Sequence, residues 1–236
     1  MTLKLVSCPS PNHDARPDGA PIDILVLHYT GMKTADEALA RLCDPAAKVS
    51  AHYTIGRDGR VFAHVPEERR AWHAGVSWWA GEKNVNGRSI GIELVNPGHE
   101  FGYEPFAPDQ VAALIDLAQG ILSRHPIPPG RVVGHSDVAP ARKMDPGELF
   151  PWQHLAEFGI GLWPRTAPIG RPPRKDETVL ENPASALAQF GYGVPPQTDA
   201  SLDAVITAFQ RHFRPGAVNG AWDSECAAIL DGLLAA

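Results

Sequence analysis

The sequence predicts an α/β fold: a mixed central β-sheet flanked by helices, followed by a small three-helix C-terminal domain. Three observations carry this reading. The run Ile22 to Tyr29 (IDILVLHY) is almost continuously β-branched and apolar, as in a strand buried on both faces. Residues from Pro108 to His125 repeat apolar side chains at Val111, Leu114, Ile115, Ala118, Ile121 and Leu122, the spacing of an amphipathic helix that packs on a sheet. Gly56-Arg57-Asp58-Gly59 separates two short runs, 51–55 and 60–65, and suits the tight turn of an antiparallel hairpin.

Taken in order, the first strand ends at His28. A helix follows over Thr34 to Cys43, where Thr34 and Glu37 form a capping box. After the hairpin, Ser89 to Val95 (SIGIELV) is a second buried strand with Glu93 as the only charge inside it. Arg131 to Gly134 forms a short strand that runs directly into His135. Strands and helices in this mixture, one pair antiparallel, place the chain in the α/β class. Residues 164–183 turn to proline, glycine and charge, the composition of an extended linker. They divide a domain at 1–163 from a second at 184–236, whose helical patterns cover 184–190, 201–213 and 223–234. A length of 236 residues accommodates two such cores.

Composition narrows the function. With 44% hydrophobic and 20% charged residues the chain is an ordinary globular one, and its net charge of −6 weighs against a nucleic-acid partner, which calls for a basic face. No apolar run approaches the roughly 20 residues that cross a bilayer. Met1 to Pro9 lacks the apolar stretch of about 7–15 residues of a secretory signal, so the expected compartment is the cytoplasm. The alternative is a periplasmic, lipid-anchored protein, because Leu5-Val6-Ser7-Cys8 has the form of a lipoprotein signal end if the true start lies upstream. Cys8, Cys43 and Cys226 are odd in number and far apart in sequence, which suggests neither a disulfide framework nor a thiolate metal site. Any metal is left to histidine and carboxylate.

Strand ends next to loops are where sites on sheet folds tend to lie, and His28 occupies one. One histidine among ten is nevertheless more often packed or exposed than a ligand. The segment 134–147 combines proline and glycine with His135, Lys143 and Asp145; Lys143 and Asp145 are two apart, so in an extended segment both leave the same side of the backbone. Spacing alone favours the plainer reading, a surface loop with an Asp-Pro turn. Glu93, inside an apolar strand, gains a raised pKa from desolvation and so suits proton transfer near neutrality; its structural alternative is a buried pair with Arg88. Trp78-Trp79 begins a polar, glycine-rich stretch expected beside a cleft, where Trp78 stacks on a sugar face and Arg88 pairs with a peptide carboxylate.

Six motifs in order extend this reading: Leu27-His28-Tyr29-Thr30, Ser50-Ala51-His52-Tyr53, Arg70-Ala71-Trp72-His73-Ala74-Gly75, Ser89-Ile90-Gly91-Ile92-Glu93-Leu94, Gly134-His135-Ser136-Asp137 and Lys143-Met144-Asp145-Pro146-Gly147. Over Asp23 to Trp152 the chain thereby resembles the zinc-dependent N-acetylmuramoyl-L-alanine amidases, relatives of phage lysozyme-type amidases and peptidoglycan recognition proteins. The resemblance implies a Zn2+ ion held by His28, His135 and Asp145, with water in the fourth position. It implies Glu93 as general acid and base, Lys143 as the cation that stabilises the oxyanion, and His73 as a substrate-cleft residue. Residues 184–236 resemble a three-helix peptidoglycan-binding domain, departing from it where Pro195-Pro196-Gln197 replaces a glycine-rich turn. The expected partners are muropeptides, including 1,6-anhydro forms, with polymeric peptidoglycan as a second partner. A non-catalytic peptidoglycan recognition module and a zinc endopeptidase acting within the stem peptide are the alternatives.

Overall fold

The first strands are short: β1 (Leu5–Ser7) and β2 (His13–Ala15) precede the long strand β3 (Ile24–Tyr29) and helix α1 (Ala35–Cys43). In this computed structural model the described residues are 4–164 and 181–235; residues 165–180 of the expected linker lie outside them. Then come β4 (Tyr53–Ile55), β5 (Val61–Ala63), β6 (Arg69–Ala71), α2 (Val85–Arg88), β7 (Ser89–Leu94), α3 (Gly98–Phe101), α4 (Pro108–Arg124), β8 (Val132–Gly134), α5 (His135–Val138) and α6 (Trp152–Glu157). The C-terminal helices are α7 (Pro183–Phe190), α8 (Leu202–Phe213) and α9 (Ser224–Leu234).

The central sheet has the order β1-β5-β4-β7-β3-β8. Only the β4/β5 hairpin is antiparallel within it; β3 lies parallel to β7 and β8, and β4 parallel to β7. Local chemistry sets the boundaries. The Thr34 hydroxyl accepts from Glu37 N at 3.2 Å and starts α1; Pro108 starts α4 at a position where its missing N–H costs nothing. Gly59, at φ 77°, closes the hairpin in a conformation that side chains disfavour. The sequence reading had no place for β1, β2 and β6, because three-residue strands are too short to show a period.

Alternation along the strands sorts side chains between the two faces of the sheet. Leu25 and Leu27 of β3 and Ile90, Ile92 and Leu94 of β7 bury against Leu114, Ile115, Ala118 and Ile121 of α4. Ile24, Val26 and Val133 face the other way, into a cluster with Trp79, Val138, Leu187, Tyr192, Val205 and Phe209. Among the described residues the two hydrophobic clusters lie on opposite faces of the sheet, and the C-terminal helices complete the second. Trp79 marks that seam. It is 1% exposed, donates from Nε1 to Gly130 O at 3.2 Å, and packs edge-on against Phe190 and Tyr192. It is therefore core, not the cleft-side aromatic that its polar neighbours suggested. Gly191 lies so close that an added Cβ would sit 3.1 Å from the Trp79 ring. No helix among the described residues is long and apolar enough to cross a membrane.

Candidate active site

Parity along β3 and β7 builds the site. Ile24 and Val26 share a face with His28, and opposite Ile90, Ile92 and Leu94 stand Ser89, Gly91 and Glu93. Register places His28 directly beside Glu93, and Leu27 beside Gly134, so His135 emerges next to His28 where β8 ends. Carboxyl ends of parallel strands are where ligands bind on open α/β sheets.

There His28 Nδ1, His135 Nδ1 and Asp145 Oδ2 converge: 2.9 Å between the two nitrogens, and 3.1 and 3.0 Å from them to the carboxylate. All three residues are buried. Burial and neighbouring His135 lower His28 to about 4, so its imidazole is neutral and carries a free lone pair. Burial alone would raise Asp145, but the two histidines, His135 foremost, hold it well below the usual carboxylate range. The outer nitrogens fix the tautomers: His135 Nε2 donates to Ala74 O at 3.1 Å, and His28 Nε2 to His73 Nδ1 at 3.0 Å. Two imidazole lone pairs and an ionised carboxylate pointed at one locus, each held from behind, form the donor set of a divalent metal site.

His73 lines the cleft while being largely buried, and its Nε2 meets Ser89 Oγ at 3.1 Å. A relay thus runs from Ser89 through His73 to His28. It exists because Gly91 has no side chain: a Cβ there would lie 2.5–2.7 Å from the His73 ring. Beneath it, His52 Nδ1 accepts the Gly91 N–H at 2.9 Å, and burial together with Arg16 lowers His52 to about 3. Gly91→Ala is expected to push His73 off His28 and weaken metal affinity about 10–100-fold, the usual cost of losing a supporting hydrogen bond behind a ligand. Titration against a competing chelator checks this; unchanged affinity would show that His28 needs no such support.

Glu93, Lys143, His73, His135 and Asp145 line one cleft of about 560 Å³. Burial, reinforced by nearby Asp145, raises Glu93 well above the ordinary carboxylate range, while Lys143 acts the other way. Glu93 Oε2 is buried without a hydrogen-bond partner. Lys143 makes no ion pair among the described residues, so an uncommitted cation lines the same cleft as Glu93. Arg142, also in the lining, donates from Nη2 to Ala74 O at 2.7 Å, the carbonyl that also holds His135. Neither Gly91 nor Arg142 stood out in the sequence; a glycine interrupting an apolar strand was the available signal.

Two expected contacts lie elsewhere. Arg88 does not reach the cleft or Glu93; it is half-buried in ion pairs with Asp23 and Glu82, and its Nε meets Asp23 Oδ1 at 3.0 Å. Its expected carboxylate partners are thus found within the chain. Trp78 lines a second pocket of about 270 Å³ with Lys83, Gln197 and Asp199. That pocket shares Arg142 with the main cleft.

Comparison with known proteins agrees with this geometry. Residues 18–148 match the N-acetylmuramoyl-L-alanine amidase family. The chain is 43% identical over 234 residues to N-acetylmuramoyl-L-alanine amidase AmiD of Escherichia coli, covering 90% of this chain and 82% of that protein. It is 36% identical to 1,6-anhydro-N-acetylmuramyl-L-alanine amidase AmpD of Enterobacter cloacae over 164 residues, 62% of this chain and 86% of AmpD. The solved complex of AmiD with anhydro-N-acetylmuramic acid-L-Ala-D-γ-Glu-L-Lys superposes with a TM-score of 0.79 at 42% identity, covering 93% of this chain and 92% of AmiD. With the family matched across more than half its length, and His135, Asp145, Glu93 and Lys143 gathered in one cleft beside His28, this chain belongs to the N-acetylmuramoyl-L-alanine amidases.

Proposed function

We propose that this chain hydrolyses the amide bond between N-acetylmuramic acid and L-alanine in 1,6-anhydro-muropeptides, with zinc held by His28, His135 and Asp145. The observation that carries this reading is the three-donor cluster, two of whose members, His135 and Asp145, line one cleft with Glu93 and Lys143. A His₂Asp set fits zinc, which when bound acidifies water to about pKa 7 and polarises a carbonyl. The protein supplies the rest. Glu93 Oε2 takes a proton from the attacking water, and Glu93 returns a proton to the alanine nitrogen as the C–N bond breaks. Lys143 faces the negative charge that develops on the carbonyl oxygen. His73 keeps His28 in its ligating orientation instead of gripping substrate. Trp78 offers a ring to a glycan extending past Arg142 into the second pocket. The substrate class follows from AmiD, solved with an anhydro-muramyl tripeptide, and from AmpD, named for the 1,6-anhydro sugar.

Incubation with 1,6-anhydro-N-acetylmuramoyl-L-Ala-D-γ-Glu-L-Lys, followed by mass spectrometry, tests this. Free tripeptide and intact anhydro-sugar are expected, abolished by chelator and restored by zinc. Cleavage within the peptide would make the chain an endopeptidase. Binding of this substrate without turnover in the zinc-loaded protein would make it a recognition module.

A further inference from the structure

Asp137 lies two residues beyond His135 and is fully buried, at 0% exposure. Its Oδ2 accepts from Gly134 N and from His212 Nδ1, both at 2.7 Å, and its Oδ1 accepts the Tyr192 hydroxyl at 2.7 Å. Tyr192 and His212 both come from the C-terminal helical region and are themselves buried. The His212 ring is sandwiched, with centroids 3.7 Å from Trp152 and 3.8 Å from Phe213. Its Nε2 has no partner, so the ring proton belongs on Nδ1, facing Asp137. The Gly134 amide opens directly into His135, and the Ser136 amide donates to Asp145 O at 2.8 Å. A Cβ on Gly134 would strike Pro146, so the turn and the Asp145 loop are in close contact. One carboxylate therefore sets the turn that presents His135 and is tied to Asp145, and two of its three donors come from the C-terminal region: His212 on α8 and Tyr192 just after α7.

We infer that the C-terminal helical region is a positioning part of the metal centre, acting through Tyr192 and His212 on Asp137. The inference rests on the metal-site reading of His28, His135 and Asp145. Its residues are positioning residues: neither Tyr192 nor His212 lines the cleft. Without their donors, a buried carboxylate seeks other partners and releases Gly134, and His135 loses its fixed direction.

The test uses the full chain carrying Tyr192→Phe, His212→Leu, both together, and His212→Asn, whose amide N–H₂ takes the place of the Nδ1 donor. Zinc affinity is read by competition with a chromogenic chelator, beside the melting temperature of the metal-free protein and kcat and KM on the anhydro-muramyl tripeptide. The double variant is expected to bind zinc about 10-fold more weakly, with kcat reduced and KM unchanged. His212→Asn should recover most of the affinity that His212→Leu loses. Tyr192→Phe deletes one oxygen and serves alone if the double variant does not fold. Unaltered zinc affinity with only a lower melting temperature would overturn the inference, leaving a packing contact. Failure of the unmodified chain to bind zinc would overturn the metal reading beneath it.

A separate observation concerns the far wall of the cleft. Cys8 Sγ and Cys43 Sγ lie 3.4 Å apart, although the sequence suggested no disulfide. The surrounding backbone is already strapped together: Asn12 Nδ2 donates to Asp44 O and Val49 O at 2.8 and 2.9 Å, and Ser50 Oγ to Asn12 O at 2.6 Å. His64 stands beside the thiols, but its Nδ1 donates to Cys8 O at 2.6 Å and its Nε2 meets Thr54 Oγ1 at 2.9 Å. Neither ring nitrogen is left to complete a thiolate metal site. We propose that Cys8 and Cys43 are an oxidisable pair: exchange with a small-molecule disulfide such as oxidised glutathione forms the Sγ–Sγ bond and releases two equivalents of reduced thiol. Because Ala38, Arg41 and Leu42 of α1 line the cleft, that bond would fasten one substrate wall to the N-terminal strand.

Treatment with oxidised glutathione, against a dithiothreitol control, should remove two hydrogens from the intact mass and yield a Cys8–Cys43 linked peptide. The melting temperature should rise on the order of 5–10 °C, as expected for a closed loop of this size, and Cys43→Ser should abolish the rise. Glutathione adducts without a linked peptide, or full retention of both thiols, would overturn the proposal.

Discussion

Asp145→Ala is expected to lower kcat/KM at least about 10³-fold and to abolish stoichiometric zinc binding. The carboxylate is the only anion in a buried cluster whose other members are imidazoles, so its removal leaves two neutral donors to hold a dication. The metal's charge is worth several kcal/mol in the transition state, and each 1.36 kcal/mol is about a factor of ten in rate. Asp145→Asn keeps an acceptor oxygen without the charge and should fall between the alanine variant and the unmodified chain. Measured zinc content and turnover check the series; an Asp145→Ala chain that keeps both would remove Asp145 from the ligand set.

How far this was legible in the sequence depended on how local each signal was. β3, β7, the hairpin and α4 lie within a residue or two of their expected spans, because apolar runs and the 3.6-residue period are properties of contiguous residues. His28 and Glu93 become neighbours through strand register, and motif order along the chain anticipated that they and His135, Lys143 and Asp145 would meet. What escaped depends on partners distant in sequence. His73 reads as a cleft residue in its motif and does line the cleft, but nothing local says that Gly91 gives it room to hold His28 as well. Arg88 looks free for a ligand until the fold brings Asp23, 65 positions away, against it. The C-terminal helices show the period of a separate domain, and nothing local in Tyr192 or His212 says that their polar tips end on Asp137.

Glu93→Gln is expected to separate activity from stability. As the group that must accept and return a proton, its loss should reduce kcat by about 10²–10⁴-fold with little change in KM, the range for general acid–base catalysis. Stability should move the other way. The folded metal-free protein raises the Glu93 pKa through burial and Asp145, so it favours the protonated acid. A carboxyl raised on folding contributes its stability fully below the unfolded pKa of about 4.3, and that contribution is lost as pH rises through the folded value. At neutral pH the unfolded chain ionises this carboxyl freely while the folded site disfavours its charge, and a neutral amide removes that cost. Metal-free Glu93→Gln should melt about 2–4 °C higher than the unmodified chain at pH 7, the shift produced by each kcal/mol in a chain of this size, and show no gain near pH 4. Zinc reverses the balance. Its positive charge beside Glu93 favours the carboxylate, so loading should draw the Glu93 titration downward and shrink the advantage of glutamine. Melting curves with and without zinc at the two pH values, read beside kcat, check the whole pattern. An inactive variant with no stability gain at pH 7 would mean that Glu93 is not held protonated by its surroundings, and its pKa would have to be tuned by substrate or metal alone.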